Sequence, residues 1–137
     1  MYGSLDISTS GLIAQRTRLH SISANIANQD TYTDAAGRNV PFARRVVHFA
    51  PGDPRSSNPE VRKLGVHVAS IAEQRTFRLK WDPDNALADP DGYIKYPDIN
   101  PTFEMINYME ASRAYEANLV AAEASKTMMA QALRLLA

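Results

Sequence analysis

The sequence predicts an α+β fold, mainly α, in which long N- and C-terminal helices pair as an antiparallel coiled coil and a small β-hairpin-rich region lies between them. Three observations lead there. Leu5, Leu12, Leu19 and Ile26 recur every seven residues, which draws one apolar stripe down a helix. Pro101 to Ala137 carries two further apolar stripes. The stretch between is rich in Pro, Asp, Asn and Arg and holds only short β-favouring runs. A helix from Pro101 to Ala137 would be about 50 Å long, whereas a compact globule of this length has a radius of gyration of about 14 Å. Something outside its own domain must therefore cover part of it, which points towards assembly rather than catalysis. The expected divisions are 1–30, an N-terminal axial helix; 31–100, a β-rich outer region with loops; and 101–137, a C-terminal axial helix.

The first helix is expected over Leu5 to Asn28. Ser4 or Asp6 would open it, and Asn28, a residue type that tolerates the left-handed conformation, would close it. Ile22 lies three or four residues from stripe members, so the stripe reads as a seam for a partner helix. Its other faces carry Ser, Asn, Gln and Arg, and Gly11 costs roughly 1 kcal/mol against Ala, so the segment should be largely disordered alone in water. Beyond it, Val46, Val47 and Phe49 predict a strand over Ala43 to Phe49. Pro51 to Pro59 is broken by prolines and reads as a loop. Gly65 to Ala72 predicts a second strand, and the alternation of Phe77, Leu79 and Trp81 a third, with the strands half-buried and Trp81 as a core anchor. Asp89-Pro90-Asp91-Gly92 fits a type I turn leading into Tyr93 to Tyr96, hence a hairpin. Asn100-Pro101 supplies a cap and a first helical proline, with Glu104 favourable to the helix dipole. Within the long helix one stripe comprises Ile106, Met109, Ala117, Val120, Ala124, Met128, Ala132 and Leu135, and the other Met105, Ser112, Leu119, Ala122, Met129, Leu133 and Leu136. Two stripes imply more than one neighbour, and abundant Ala allows close helix approach.

Composition excludes several classes of function. Fifteen Lys and Arg balance fifteen Asp and Glu without a run of like charge, so no basic stripe is present to neutralise nucleic-acid phosphates. Cysteine is absent, which removes disulfides and thiolate sites. The first basic residue is Arg16 and the early apolar residues are spaced, which argues against a cleaved signal peptide. Nor does any stretch approach the roughly 20 apolar residues of a membrane span, so no membrane insertion is expected. Asp89, Asp91, Gly92, Ile94 and Asp98 fall into part of a calcium-loop frame, but its first position would be Leu87 and its twelfth lacks Glu. His20, His48 and His67 have no paired spacing, and no nucleophile elbow, phosphate loop or dinucleotide pattern occurs. No catalytic residue, cofactor or metal ligand is expected.

Asn25 and Asn28 admit two readings: local capping at the helix end, or amides that bridge neighbouring helices. The motif Ser23-Ala24-Asn25-Ile26-Ala27-Asn28 resembles the N-terminal signature of bacterial flagellar rod and hook proteins, and Ala111-Ser112-Arg113-Ala114-Tyr115-Glu116-Ala117-Asn118 resembles the signature in their C-terminal helix. Gly65-Val66-His67-Val68-Ala69, Trp81-Asp82-Pro83 and Gly92-Tyr93-Ile94-Lys95-Tyr96-Pro97 resemble the rod proteins within that family. No motif accounts for Pro51 to Lys63. The resemblance implies a structural subunit of the proximal rod in the basal body, polymerising through its terminal helices. It implies export by the flagellar type III apparatus without a cleaved signal, residence in the periplasm, and copies of itself and other rod proteins as partners. Stripes and motifs together nominate interface residues: Leu5, Leu12, Leu19, Ile22, Asn25, Ile26, Asn28, Ile106, Met109, Arg113, Tyr115, Asn118, Val120, Met128, Met129, Leu133 and Leu136. The competing expectation is a helical adaptor that binds a single export or regulatory partner.

Overall fold

The computed structural model describes residues 2–52, 54, 59 and 61–136. Helix α1 spans Tyr2–Ala27 and helix α2 spans Pro101–Leu136, and between them lie strands β1 (Arg44–Pro51), β2 (Val66–Gln74), β3 (Phe77–Trp81) and β4 (Tyr93–Pro97). A short 3-10 turn, Val61–Lys63, falls where the sequence gives only a loop; the remainder of that loop at 53, 55–58 and 60 lies outside the described residues. The strands form two separate two-stranded sheets, β1 with β2 and β3 with β4. The chain divides into two compact units, the first built from 1–20, 47–71 and 109–137 and the second from 21–46 and 72–108.

In the first unit the two helices run antiparallel. Ser4 meets Ser125 at 3.4 Å, Gly11 packs against Asn118, and Arg18 pairs with Glu110 at 3.2 Å, so partners on α2 retreat as positions on α1 advance. The seam is made of small and polar residues: Ser8, Gly11 and Ala14 are buried on α1, and Ala111 and Ser125 on α2. Short side chains let the backbones close up, as ridge-into-groove packing requires. The Leu5, Leu12, Leu19 stripe expected to form the seam instead lies about a quarter turn away from Gly11 and is only half-buried. Gly11, read from the sequence as a cost, is a contact residue, because a Cβ there would sit 2.8 Å from Asn118 Oδ1. Ser10 joins α1 to the start of β2: its Oγ donates to the Ile7 carbonyl at 2.7 Å and accepts from Val66 N at 3.1 Å. Gly65 makes that approach possible, with φ +84° and space that a Cβ would fill to within 2.5 Å of Ser10 Oγ.

In the second unit β3 and β4 pair antiparallel, with Phe77 opposite Pro97 and Trp81 opposite Tyr93. Ile94 and Tyr96 on β4 turn into a core shared with Ile99 and Ile22, all buried. The Tyr32 ring lies 4.6 Å from that of Tyr96. The free edge of β4 is met by the Asn39 side chain, whose Oδ1 accepts from Lys95 N at 3.2 Å and whose Nδ2 donates to Lys95 O at 3.1 Å. Strand β3 departs from expectation: all five residues are exposed, and Trp81, read as a core anchor, is 66% exposed. Its alternation places Phe77, Leu79 and Trp81 on the face away from Ile94, where they stay 49%, 57% and 66% exposed.

The ends of the helices follow their local chemistry. At the start of α2, Asn100 Oδ1 accepts from Thr102 N at 2.9 Å and Pro101 fills the first helical position, as the sequence predicts. At the end of α1, Asn28 Nδ2 donates to the Ala24 carbonyl at 2.8 Å. Asn28 does not adopt a positive φ, so it terminates the helix through its side chain rather than by left-handed backbone.

Candidate assembly interface

Asn25 is fully buried, and its amide is used completely. Nδ2 donates to the Arg45 carbonyl at 2.8 Å and to Glu104 Oε2 at 3.0 Å, while Oδ1 accepts from Arg45 N at 2.8 Å. One side chain thus completes a backbone pairing with β1 and reaches the first turn of α2. Glu104, 1% exposed, takes the other half of the load: its Oε1 accepts from Arg44 Nε at 2.8 Å and from Nη2 at 2.6 Å. Arg44 Nη1 donates onward to Gln74 Oε1 at 2.9 Å on β2. A carboxylate this deeply buried is tolerable only when paired and hydrogen-bonded, and here both of its oxygens are engaged. The network fastens α1, β1, β2 and α2 inside the second unit.

The two readings of the asparagine pair therefore separate. Asn28 caps its own helix, while Asn25 bridges elements of its own chain. Asn118, in the C-terminal motif, donates to the Ala114 carbonyl at 2.8 Å and lies against Gly11. Ile22 is buried and Ile26 half-buried. Arg113 is exposed and Tyr115 half-buried, and neither makes a hydrogen bond or ion pair among the described residues. Sequence reasoning missed Glu104, Arg44 and Gln74 as a cluster; Glu104 drew notice only as a charge favourable to the helix dipole.

Three of the other nominated residues of α2 point away from α1, and the rest lie past the end of α1 or in the second unit. Met109, Arg113 and Val120 lie about half a turn around α2 from buried Ala111, and Met109 and Val120 are 49% and 65% exposed. The pairing of Ser4 with Ser125 places the start of α1 near Thr127, so α2 continues beyond its partner. Met128 at 58% and Leu133 at 68% exposure lie on that extension, with Met129 half-buried and the side chain of Leu136 outside the described residues. In the second unit Ile106 is also half exposed. Large apolar side chains left this exposed on one helix mark surfaces for interaction. Among the described residues no helix is long and apolar enough to cross a membrane.

Comparison with known proteins matches the same two regions. The family model "Flagella basal body rod protein" covers residues 5–32, and "Flagellar basal body rod FlgEFG protein C-terminal" covers residues 91–135. Among curated relatives, the "Flagellar basal-body rod protein FlgC" of Salmonella typhimurium is 38% identical over 135 residues, which is 95% of this chain and 93% of the relative. Its namesake from Aquifex aeolicus is 37% identical over 126 residues, 92% of this chain and 90% of the relative. The Bacillus subtilis protein of that name is 35% identical over 145 residues, covering 98% and 97%.

Proposed function

The chain belongs to the FlgC family of flagellar basal-body rod proteins, and from that premise we propose that it is a structural subunit of the proximal rod, polymerising through its terminal helices into the tubular drive shaft. The observation that carries the mechanism is the apolar side of α2 at Met109 and Val120, turned away from the helix that α2 pairs with in its own chain. Burial of such a side chain contributes about 1.5–3 kcal/mol, and only other subunits can provide it. On this reading the segments 1–30 and 101–137 are the axial helices that line the tube, and 31–100 is the outer region. The role is structural rather than catalytic, and family membership favours it over the single-partner adaptor.

The subunit reaches the periplasm through the flagellar type III apparatus with no cleaved signal. A narrow export channel needs a loosely folded substrate, and the Ser, Asn and Gly of α1 give it weak intrinsic helicity until neighbours order it. Copies of itself and other rod proteins are then its partners. Purified monomer should show low helicity and rapid amide exchange at both termini, with helix gained on assembly; slow exchange in the monomer opposes the proposal. Val120→Asp should block rod assembly while leaving secretion intact, as counted in isolated basal bodies. Normal rods from that variant contradict it.

A further inference from the structure

The second unit carries an open groove of about 490 Å³ bounded by the segment Asn39–Ala43, by Arg45, by the segment Glu73–Phe77 and by Lys95. Val40, Pro41, Phe42, Ala43 and Phe77 give it an apolar lining, with Val40 and Phe77 each about half exposed. Two cations stand over its aromatic rings: the Arg45 guanidinium is 5.6 Å from the Phe42 centroid and Lys95 Nζ 5.1 Å from that of Phe77. Neither meets a carboxylate among the described residues. A third cation, Arg75, is matched by Glu73 at 3.4 Å. An apolar groove with two uncompensated positive charges fits a segment that is both acidic and apolar.

Such a segment lies at the far end of the same hairpin. The connection from β3 to β4 carries Asp82, Asp84, Asp89 and Asp91 around Ala86, Leu87 and Ala88, and none of the four acids has an ion pair among the described residues. Its shape is fixed by Asp82 N to Gly92 O at 2.9 Å, Asp89 N to Tyr93 O at 2.8 Å and Leu87 N to Asn85 Oδ1 at 3.1 Å. The strand from Phe77 to Trp81 separates groove from loop by about 13 Å. A copy therefore cannot fill its own groove with its own loop, whereas a second copy can.

We propose that the acidic Asp82–Asp91 loop of one copy docks into the Arg45–Lys95 groove of a second copy. The inference rests on the rod-subunit reading and adds a lateral contact between outer regions. Donor and acceptor occupy different surfaces, so the contact is head-to-tail and propagates, as a polymer requires.

The test uses two full-length variants. One reverses the groove, Arg45→Glu with Lys95→Glu; the other reverses the loop, Asp84→Lys with Asp91→Lys. Each alone juxtaposes like charges at every contact and should lower the yield of rods about tenfold or more. Expressed together they restore opposite charge at every alternating contact, and yield should return to within about twofold of the native protein. Native yield from either variant alone, or no recovery in the mixture, overturns the proposal. So does recovery only when a different rod protein carries the complementary reversal. Because the chain has no cysteine, Lys95→Cys in one copy and Asp84→Cys in another provide a check that does not depend on charge reversal. A disulfide joining two copies in isolated basal bodies supports the contact, and its absence in rods that assemble contradicts it. If these variants assemble normally while Val120→Asp does not, the lateral contact is lost and the rod-subunit reading stands.

Discussion

At Asn25 a single amide satisfies a backbone donor, a backbone acceptor and a buried carboxylate. Asn25→Ala strands all three, and the second unit should lose about 2–3 kcal/mol, read as a lower urea midpoint at unchanged slope. Glu104→Gln keeps an acceptor for Asn25 but leaves Arg44 without a charge partner, and should cost less than Glu104→Ala in the same assay. Gly11 offers a sharper test. Ala at that position gains about 1 kcal/mol of helix propensity but forces Asn118 off the Ala114 carbonyl, an overpacking cost of about 1–3 kcal/mol. Gly11→Ala should therefore lower the thermal stability of assembled rods, yet raise it in an Asn118→Ala background. Asn25 and Asn118 stood out in the sequence through their motifs. Their partners did not, because Glu104 and Gly11 are 79 and 107 residues away along the chain and only the helix register brings them together.

Among the elements, helices and hairpin were legible because capping, breakers and alternation are local signals. The seam was not. Leucines at heptad spacing look like a core stripe, but the small residues Ser8, Gly11 and Ala14 allow a closer approach, and α1 turned that face to α2. Strand β3 misled for a related reason: its alternation is real, but its apolar face stays about half exposed or more. The β3–β4 turn depends on Gly92, whose φ is +81° and where a Cβ would lie 3.2 Å from Pro83. Gly92→Ala should destabilise the hairpin by about 1–2 kcal/mol, visible as faster amide exchange at Trp81 and Tyr93. The Asp34–Arg38 turn carries the pH dependence. The Arg38 amide, followed by the Arg38 side chain, holds the Asp34 carboxyl below the usual range. A depressed folded value means the turn's contribution is full above the unfolded carboxylate value of about 3.9 and is lost as pH falls through the folded one. An NMR titration should show the Arg38 and Ala36 amide signals of this turn moving only at strongly acidic pH.

At the scale of the whole chain, the 36-residue α2 leaves Met109 and Val120 exposed on the side opposite buried Ala111. Excess helix length was the sequence's clearest message, and it survives the shift in seam, since Met109 and Val120 stay about half exposed or more on the side opposite Ala111. In the proposed rod, neighbouring subunits cover this side of α2. With no native cysteine to interfere, a single Val120→Cys substitution reports on it directly through thiol labelling of free monomer and of intact basal bodies. Rapid labelling is expected in the monomer, with protection on the order of tenfold or more in the rod. Equal labelling in both would contradict it.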